Sequence, residues 1–259
     1  MDLMPEPQNL DNTAALTALQ ARLDARGLGH ITAGDVQDEP NPDNPGHPEY
    51  HRRQRAEFAH ARWLTAVPAR YRNADATDLT IQAWADQVAA DPDNINSLLI
   101  TGNTGTGKTH QAWGALRRIA AAGSRHRYEI TATTAADMYG SLRPGGSPRG
   151  TEVELDRLTD VPILLLDDLG SAKASEWVEE ITYRLINARY NACRPTVFTS
   201  NYPATAPRDD RGNVLGPGLD IVLGDRIVSR LAEMTTVVAM TGTDRRWSRA
   251  QHASSTSSP

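Results

Sequence analysis

The stretch LLITGNTGTGKTH, residues 98–110, decides how the rest of the chain is read. A short apolar run leads into Gly-x-x-x-x-Gly-Lys-Thr, the pattern of a phosphate-binding loop. The loop comprises Gly102, Asn103, Thr104, Gly105, Thr106, Gly107, Lys108 and Thr109. Its glycines allow backbone conformations closed to other residues, and they let the main chain approach an anion closely. Successive N–H groups then point inward. The helix that begins at Lys108 adds the positive end of its dipole. Lys108 is expected to reach the β- and γ-phosphates of a nucleoside triphosphate, and the Thr109 hydroxyl to bind Mg²⁺. The loop alone does not say what the energy is for, since kinases, GTPases, transporters, helicases and their loaders all use it.

Downstream, VPILLLDDLG (161–170) reads as a buried strand delivering two carboxylates at its end. Asp167 is expected to hold Mg²⁺ through water. Asp168 is the candidate base, or the group that orients the attacking water. A second acid beside the metal ligand suits hydrolysis better than transfer to a metabolite. One strand–helix unit separates this strand from the loop, which leaves room for an extra strand between the two in the sheet. TVFTSNYP (196–203) is the next strand, and Asn201 at its end can place its amide between the γ-phosphate and the water. No Asn-Lys-x-Asp stretch is present to select guanine, so ATP is favoured by elimination. In LGDRIVSRLAEM (223–234), Arg226 and Arg230 lie at i and i+4 on one helix face. In an oligomer one of them could reach a neighbour's γ-phosphate, a contribution of about 10³-fold or more in rate. Arg245 and Arg246 in TDRRW offer a second positive group.

Strands and helices alternate from residue 97 to 199, which implies a parallel sheet covered by helices on both faces. Expected strands are 97–101, 128–132, 163–166 and 196–199. Expected helices are 80–90, 108–122, 135–142, 152–158, 175–190 and 220–234, with a short apolar run at 235–241. The 259 residues, 39% hydrophobic and 23% charged, suit one domain with appendages. The single cysteine, Cys193, excludes an intrachain disulfide and a cysteine-based zinc cluster. No signal peptide and no apolar run long enough for a bilayer are visible, so a reducing cytoplasm and no membrane are expected. The net charge of −5 hides a split, because residues 1–50 set two arginines against nine carboxylates and the remainder is slightly basic. Residues 12–27 read as an amphipathic helix with Leu16, Leu19 and Leu23 on one face, and 33–48 as a proline- and aspartate-rich linker. Residues 50–67 read as a basic helix. Arg52, Arg53, Arg55, Arg62, Arg70 and Arg72 form either a solvated face or a phosphate or partner surface.

Taken in order, the phosphate loop, LLLDDLG, INARYNACRPTVFTSNYP, LGDRIVSRL and the late arginine pair resemble the AAA+ ATPases of the DnaC/IstB group. These are bacterial and phage helicase loaders and the ATPase helpers of certain transposases. The likeness runs from about residue 68 to 246. It implies an α/β AAA+ P-loop fold with a parallel sheet between helices, a reduced C-terminal helical lid and a helical N-terminal arm. It implies Lys108 and Thr109 on nucleotide and Mg²⁺, Asp167 and Asp168 as the acid pair, and Asn201 as the first sensor. Arg230 matches the family's arginine finger, with Arg226 second, and Arg245 or Arg246 matches the late arginine. Asp-Asp stands where many AAA+ proteins have Asp-Glu, but it is common in this group. Some loaders carry a zinc-binding N-terminal domain, which the single cysteine excludes here.

The resulting expectation is a helicase loader: an oligomeric, Mg²⁺-dependent ATPase that binds single-stranded DNA and places a replicative helicase on it. Residues 1–48 would be the partner arm, 49–75 a basic connector, 76–247 the ATPase domain and 248–259 a disordered tail. The alternatives are a transposase helper binding duplex DNA and a weakly hydrolysing nucleotide-switch adaptor. Arg184, Arg189, Arg143 and Arg149 are the candidate DNA contacts.

Overall fold

The computed structural model describes residues 13–27, 41–125 and 128–242. The chain divides into two units, Met1–His47 and Pro48–Pro259. In the first, α1 (Thr13–Ala25) ends near Gly27, which takes the left-handed conformation. Leu19 on this helix is 54% exposed. Further on, the side chains of Asn41 and Asn44 accept the N–H groups two residues ahead and shape consecutive turns. Half of the expected linker, 33–40, and the expected tail, 248–259, lie outside the described residues.

The second unit is built on five parallel strands: β1 (Ser97–Gly102), β2 (Ile130–Thr134), β3 (Ile163–Asp167), β4 (Thr196–Ser200) and β5 (Thr235–Met240). Their order in the sheet is β2-β3-β4-β1-β5. The extra strand between β1 and β3 is therefore β4, and β2 lies outside them. The run at 235–240 is an edge strand, paired with β1 from Ser97↔Thr235 to Gly102↔Met240. β1, β3 and β4 are buried on both faces, which is why β1 and β3 carry runs of three and four apolar residues, while β4 buries Val197 and Phe198 between hydroxyl residues.

Side chains alternate between two apolar layers, as strand geometry requires. Leu98, Ile100, Leu165 and Val197 face α2 (Pro48–Ala66), α3 (Leu79–Ala90) and α4 (Lys108–Ala122). Leu99, Leu164, Leu166 and Phe198 face the other layer. That layer holds α5 (Ala135–Leu142), α6 (Thr151–Asp160), α7 (Glu176–Asn191), α8 (Leu219–Leu223) and α9 (Asp225–Met234). The expected helix over 220–234 is thus two helices. Gly224, at φ 88° and ψ 156°, turns the chain between them. The second strand also starts two residues later than the pattern suggests. Tyr128 is buried as an anchor, its hydroxyl donating to the Leu116 carbonyl on α4.

The basic helix α2 packs across α4. The buried Trp63 indole donates to the Trp113 carbonyl. Arg52 donates to the carbonyl of Ala122, and Arg55 to those of Gly123 and Ser124, where α4 ends. Two cations there satisfy orphan carbonyls and complement the helix dipole.

Arg189 is fully buried and so corrects its assignment as a DNA contact. Its guanidinium donates to the carbonyls of Leu158, Thr159, Val161 and Pro195 and to the Thr196 hydroxyl, at 2.7–3.0 Å. Burial, then the charge of Arg194, pushes its pKa down to about 9, so it stays protonated at neutral pH. It ties the end of α6 to the starts of β3 and β4. Arg189→Ala would leave these buried carbonyls without a donor and should lower the unfolding free energy by about 3 kcal/mol or more. Urea denaturation reads this directly, and an unchanged midpoint would contradict the role.

Candidate active site

The carboxyl ends of β1, β3 and β4 meet at one edge of the sheet, around a cleft of about 580 Å³. Gly102 closes β1 at φ 144°, where a Cβ would lie 2.2 Å from the Met240 carbonyl oxygen of β5. Gly107, at φ 102°, is the residue before α4, whose axis starts at Lys108. The loop therefore turns tightly, with helix N–H groups at its mouth.

Lys108 is buried, and its ammonium is held in the cleft. It donates to the carbonyls of Gly102 (2.8 Å) and Asn103 (2.9 Å) and to Asn201 Oδ1 (2.8 Å). The Asn201 amide nitrogen in turn donates to Asp168 Oδ1 at 2.6 Å. Asn201 thus bridges the loop lysine and the second acid. The Thr109 hydroxyl donates to Asp167 Oδ1 at 2.9 Å, which unites two hard oxygen ligands. The Thr199 hydroxyl donates to the same Asp167 oxygen at 2.5 Å and accepts the Asp168 N–H at 2.9 Å. Asp168 sits at φ 62°, a left-handed conformation that Asp tolerates better than most residues.

Lys108, Thr109, Asp167, Asp168 and Asn201, from three segments far apart in sequence, are brought together. Arg226 and Arg230 do not line this cleft. They stack on α7, over the rings of Tyr183 (4.3 Å) and Tyr190 (4.8 Å). Arg245 and Arg246 lie outside the described residues. The cleft also takes Arg70 and Tyr71, from a 3-10 turn at Ala69–Tyr71, together with His110 and Thr134. Arg70 belongs to the basic cluster whose phosphate role the sequence left open. Tyr71 gave no signal beyond an aromatic residue among arginines.

The candidate DNA arginines differ in setting. Arg184 pairs with Glu152 at 2.5 Å. Arg149 is exposed. Arg143 lies 5.8 Å over the half-buried ring of Trp177, a residue the sequence reading did not single out.

A profile of the family described as IstB-like ATP binding protein matches residues 53–253. The chain is 27% identical to the replicative helicase loader DnaC of Escherichia coli (strain K12) over 110 residues, 42% of this chain and 43% of that protein. It is 25% identical over 169 residues, 65% of this chain and 60% of the relative, to an ATP-binding protein in an insertion sequence of Mycobacterium tuberculosis. The matches thus span about half the length of these relatives. Among solved structures, the crystal structure of the DnaC helicase loader superposes with a TM-score of 0.52 at 23% identity, covering 67% of this chain and 100% of that one. Domain III of the Thermotoga maritima replication initiation protein DnaA gives 0.50 at 20% identity, covering 66% and 65%. These likenesses establish the fold: an α/β AAA+ P-loop domain with its parallel sheet between helices.

Two substitutions separate binding from turnover. Lys108→Ala should weaken ATP binding by about 100-fold or more in calorimetry, because the phosphates lose their charge-assisted donor. Asp168→Asn should keep ATP affinity within a few-fold but slow steady-state hydrolysis by about 100-fold. Retained affinity in the first variant, or an unchanged rate in the second, would remove that residue from its place.

Proposed function

Because the chain belongs to the IstB-like ATP-binding protein family, we propose that it is an oligomeric, Mg²⁺-dependent ATPase that loads a replicative helicase on single-stranded DNA. The observation that carries the catalytic part is the linked set Thr109–Asp167 and Lys108–Asn201–Asp168 at the loop.

The donor set fits the ligands. Thr109 and Asp167 would hold Mg²⁺, which when bound neutralises charge on the phosphates. Lys108 donates to the neutral oxygens of Gly102, Asn103 and Asn201, and a phosphate oxygen is a stronger acceptor for an ammonium. Phosphate binding therefore draws Lys108 from Asn201. The amide of Asn201 has a second N–H beyond the one on Asp168, which can meet the γ-phosphate or the attacking water. Asp168 beside it accepts the proton of that water as the oxygen attacks phosphorus and ADP leaves. Arg230, or Arg226 one turn away, would complete the charge stabilisation on a neighbouring copy's nucleotide. Arg245 and Arg246 are the candidates for a further contact. Arg70 and Tyr71 would flank the nucleotide from the connector side.

For the polynucleotide, Arg143 over Trp177 pairs a cation with an aromatic face, the combination that holds single strands by phosphate contact and base stacking, and exposed Arg149 is a further candidate. The acidic arm, residues 1–48, would select the helicase. Among the described residues no helix is long and apolar enough to cross a membrane.

A transposase helper acting on duplex DNA is the second reading. The IstB family match and the insertion-sequence relative favour it. ATPase rates with single strands and with duplex of the same length distinguish the two. Stimulation by single strands, with capture of a replicative helicase by the full chain, is expected. Preferential stimulation by duplex would move the assignment to the helper, and no turnover with either would leave a nucleotide-switch adaptor.

Trp177 gives a direct test of the DNA surface. Trp63, Trp84 and Trp113 are 0–3% exposed, so among the described tryptophans Trp177 is the one a ligand can reach. Single-stranded DNA should quench its fluorescence, and the quench should vanish in Trp177→Phe. Trp177→Ala should weaken binding about tenfold. Unaltered affinity would place the strand elsewhere.

A further inference from the structure

Arg230 is not simply exposed on α9. Its guanidinium donates to Glu233 at 3.2 Å and lies 4.8 Å over the Tyr190 ring. Glu233 beside it raises the pKa of the Tyr190 phenol. The Arg230 guanidinium thus lies between a carboxylate that accepts its hydrogen bond and a ring that it stacks on.

The position of this arrangement matters. α7 starts just after the acid pair and runs away from the cleft, so Tyr190 in its last turn lies near the turn into β4, at the opposite edge of the sheet. α9 leads into the start of β5, so Glu233 lies at that same edge. Glu233 and Tyr190 together line a groove there with Cys193 and Arg194. Arg230 is therefore drawn toward the edge remote from the phosphates. Arg226, one turn nearer the cleft edge, stacks on Tyr183 and has no carboxylate within ion-pair distance among the described residues.

We propose that Glu233 is a latch that biases Arg230 away from the cleft edge until a second copy presents a triphosphate. This rests on the reading of Arg230 as the residue that acts across subunits. Glu233 is a positioning residue, since it touches Arg230 and not the nucleotide. A neighbouring γ-phosphate, with its greater charge, outcompetes one half-exposed carboxylate. The latch thereby keeps an isolated chain from holding an exposed guanidinium ready for other anions.

The latch predicts a gain on removal. The ion pair is partly exposed, with side chains 34% and 50% accessible, so its weight is that of a surface pair. That corresponds to about two- to fivefold in an equilibrium. Glu233→Gln should lower the protein concentration giving half-maximal specific ATPase activity by that factor. Affinity for ATP in dilute protein should not change. The advantage of Glu233→Gln should shrink in high salt, where the pair is screened. In an Arg230→Ala background, Glu233→Gln should have no effect.

Reduced or unchanged activity of Glu233→Gln at every protein concentration, with Arg230→Ala still slow, would overturn the latch and leave the finger standing. Full activity in Arg230→Ala would overturn the finger reading and the latch with it. A gain from Glu233→Gln that persists without Arg230 would show that Glu233 acts through something else.

Discussion

The burial of β4 between β1 and β3 is the constraint on which the site depends. β4 pairs with both neighbours, Leu98↔Val197 on one side and Leu164↔Thr196 on the other. Its last two residues, Thr199 and Ser200, are polar and almost wholly buried. Buried hydroxyls must find partners. Ser200 donates to the Leu169 carbonyl, and Thr199 reaches Asp167 and the Asp168 N–H. The need to satisfy two hydroxyls in the middle of the sheet therefore fixes where the chain after β3 can go, and both carboxylates with it. Asn201 follows one residue later and is carried to the mouth of the loop.

The local costs of this arrangement sit where chemistry is expected. Asp168 holds a left-handed backbone, and such conformations cost on the order of 1–3 kcal/mol unless the surroundings impose them. Here they do: its N–H is taken by Thr199 and its carboxylate by Asn201. Lys108 keeps an ammonium out of bulk water, near the start of a helix whose dipole disfavours a cation there. Three oxygens offset this within the chain, and a polyphosphate would do so more completely. The apolar layers on both faces of the sheet keep these groups from relaxing. At the remote edge Arg189 performs the complementary task by joining the starts of β3 and β4 through their carbonyls.

The parts legible in the sequence were those where one local rule decides. A strand, three glycines, a lysine and a threonine specify the loop. Apolar runs ending in Asp-Asp and in Thr-Ser-Asn specify β3 and β4, and they were placed to within one residue. What escaped depends on tertiary context. The stretch 220–234 reads as one continuous helix, and only the backbone at Gly224 shows the break. Arg189 reads as one more surface arginine, because nothing nearby in sequence announces five oxygens converging on it. Tyr128 has the residue type of a strand but the burial of an anchor. Tyr71 and Trp177 gain their settings from segments far away, the phosphate loop and the Arg143 turn. No periodicity encodes such meetings.

The same packing explains why α9 cannot be considered apart from the cleft. The segment after Asn201 is long, but it is clasped rather than loose. The Tyr202 ring and the Leu219 side chain both press on Gly170, just past the acid pair, where a Cβ would stand 3.0–3.1 Å from each. Leu219 donates its N–H to the Pro203 carbonyl, and Asp220 accepts the Ala206 N–H. At Gly218 a Cβ would lie 2.2 Å from the backbone of Ala206. α8 is thereby referenced to the ends of β3 and β4 by backbone contacts that allow little slip. Beyond it Gly224 is the single turn before α9, whose Ile227 and Leu231 bury against the same layer as Leu164 and Phe198. Asp168 and Asn201 are therefore linked through α8 to the helix that carries Arg226 and Arg230. The one joint in that link lies directly before this helix.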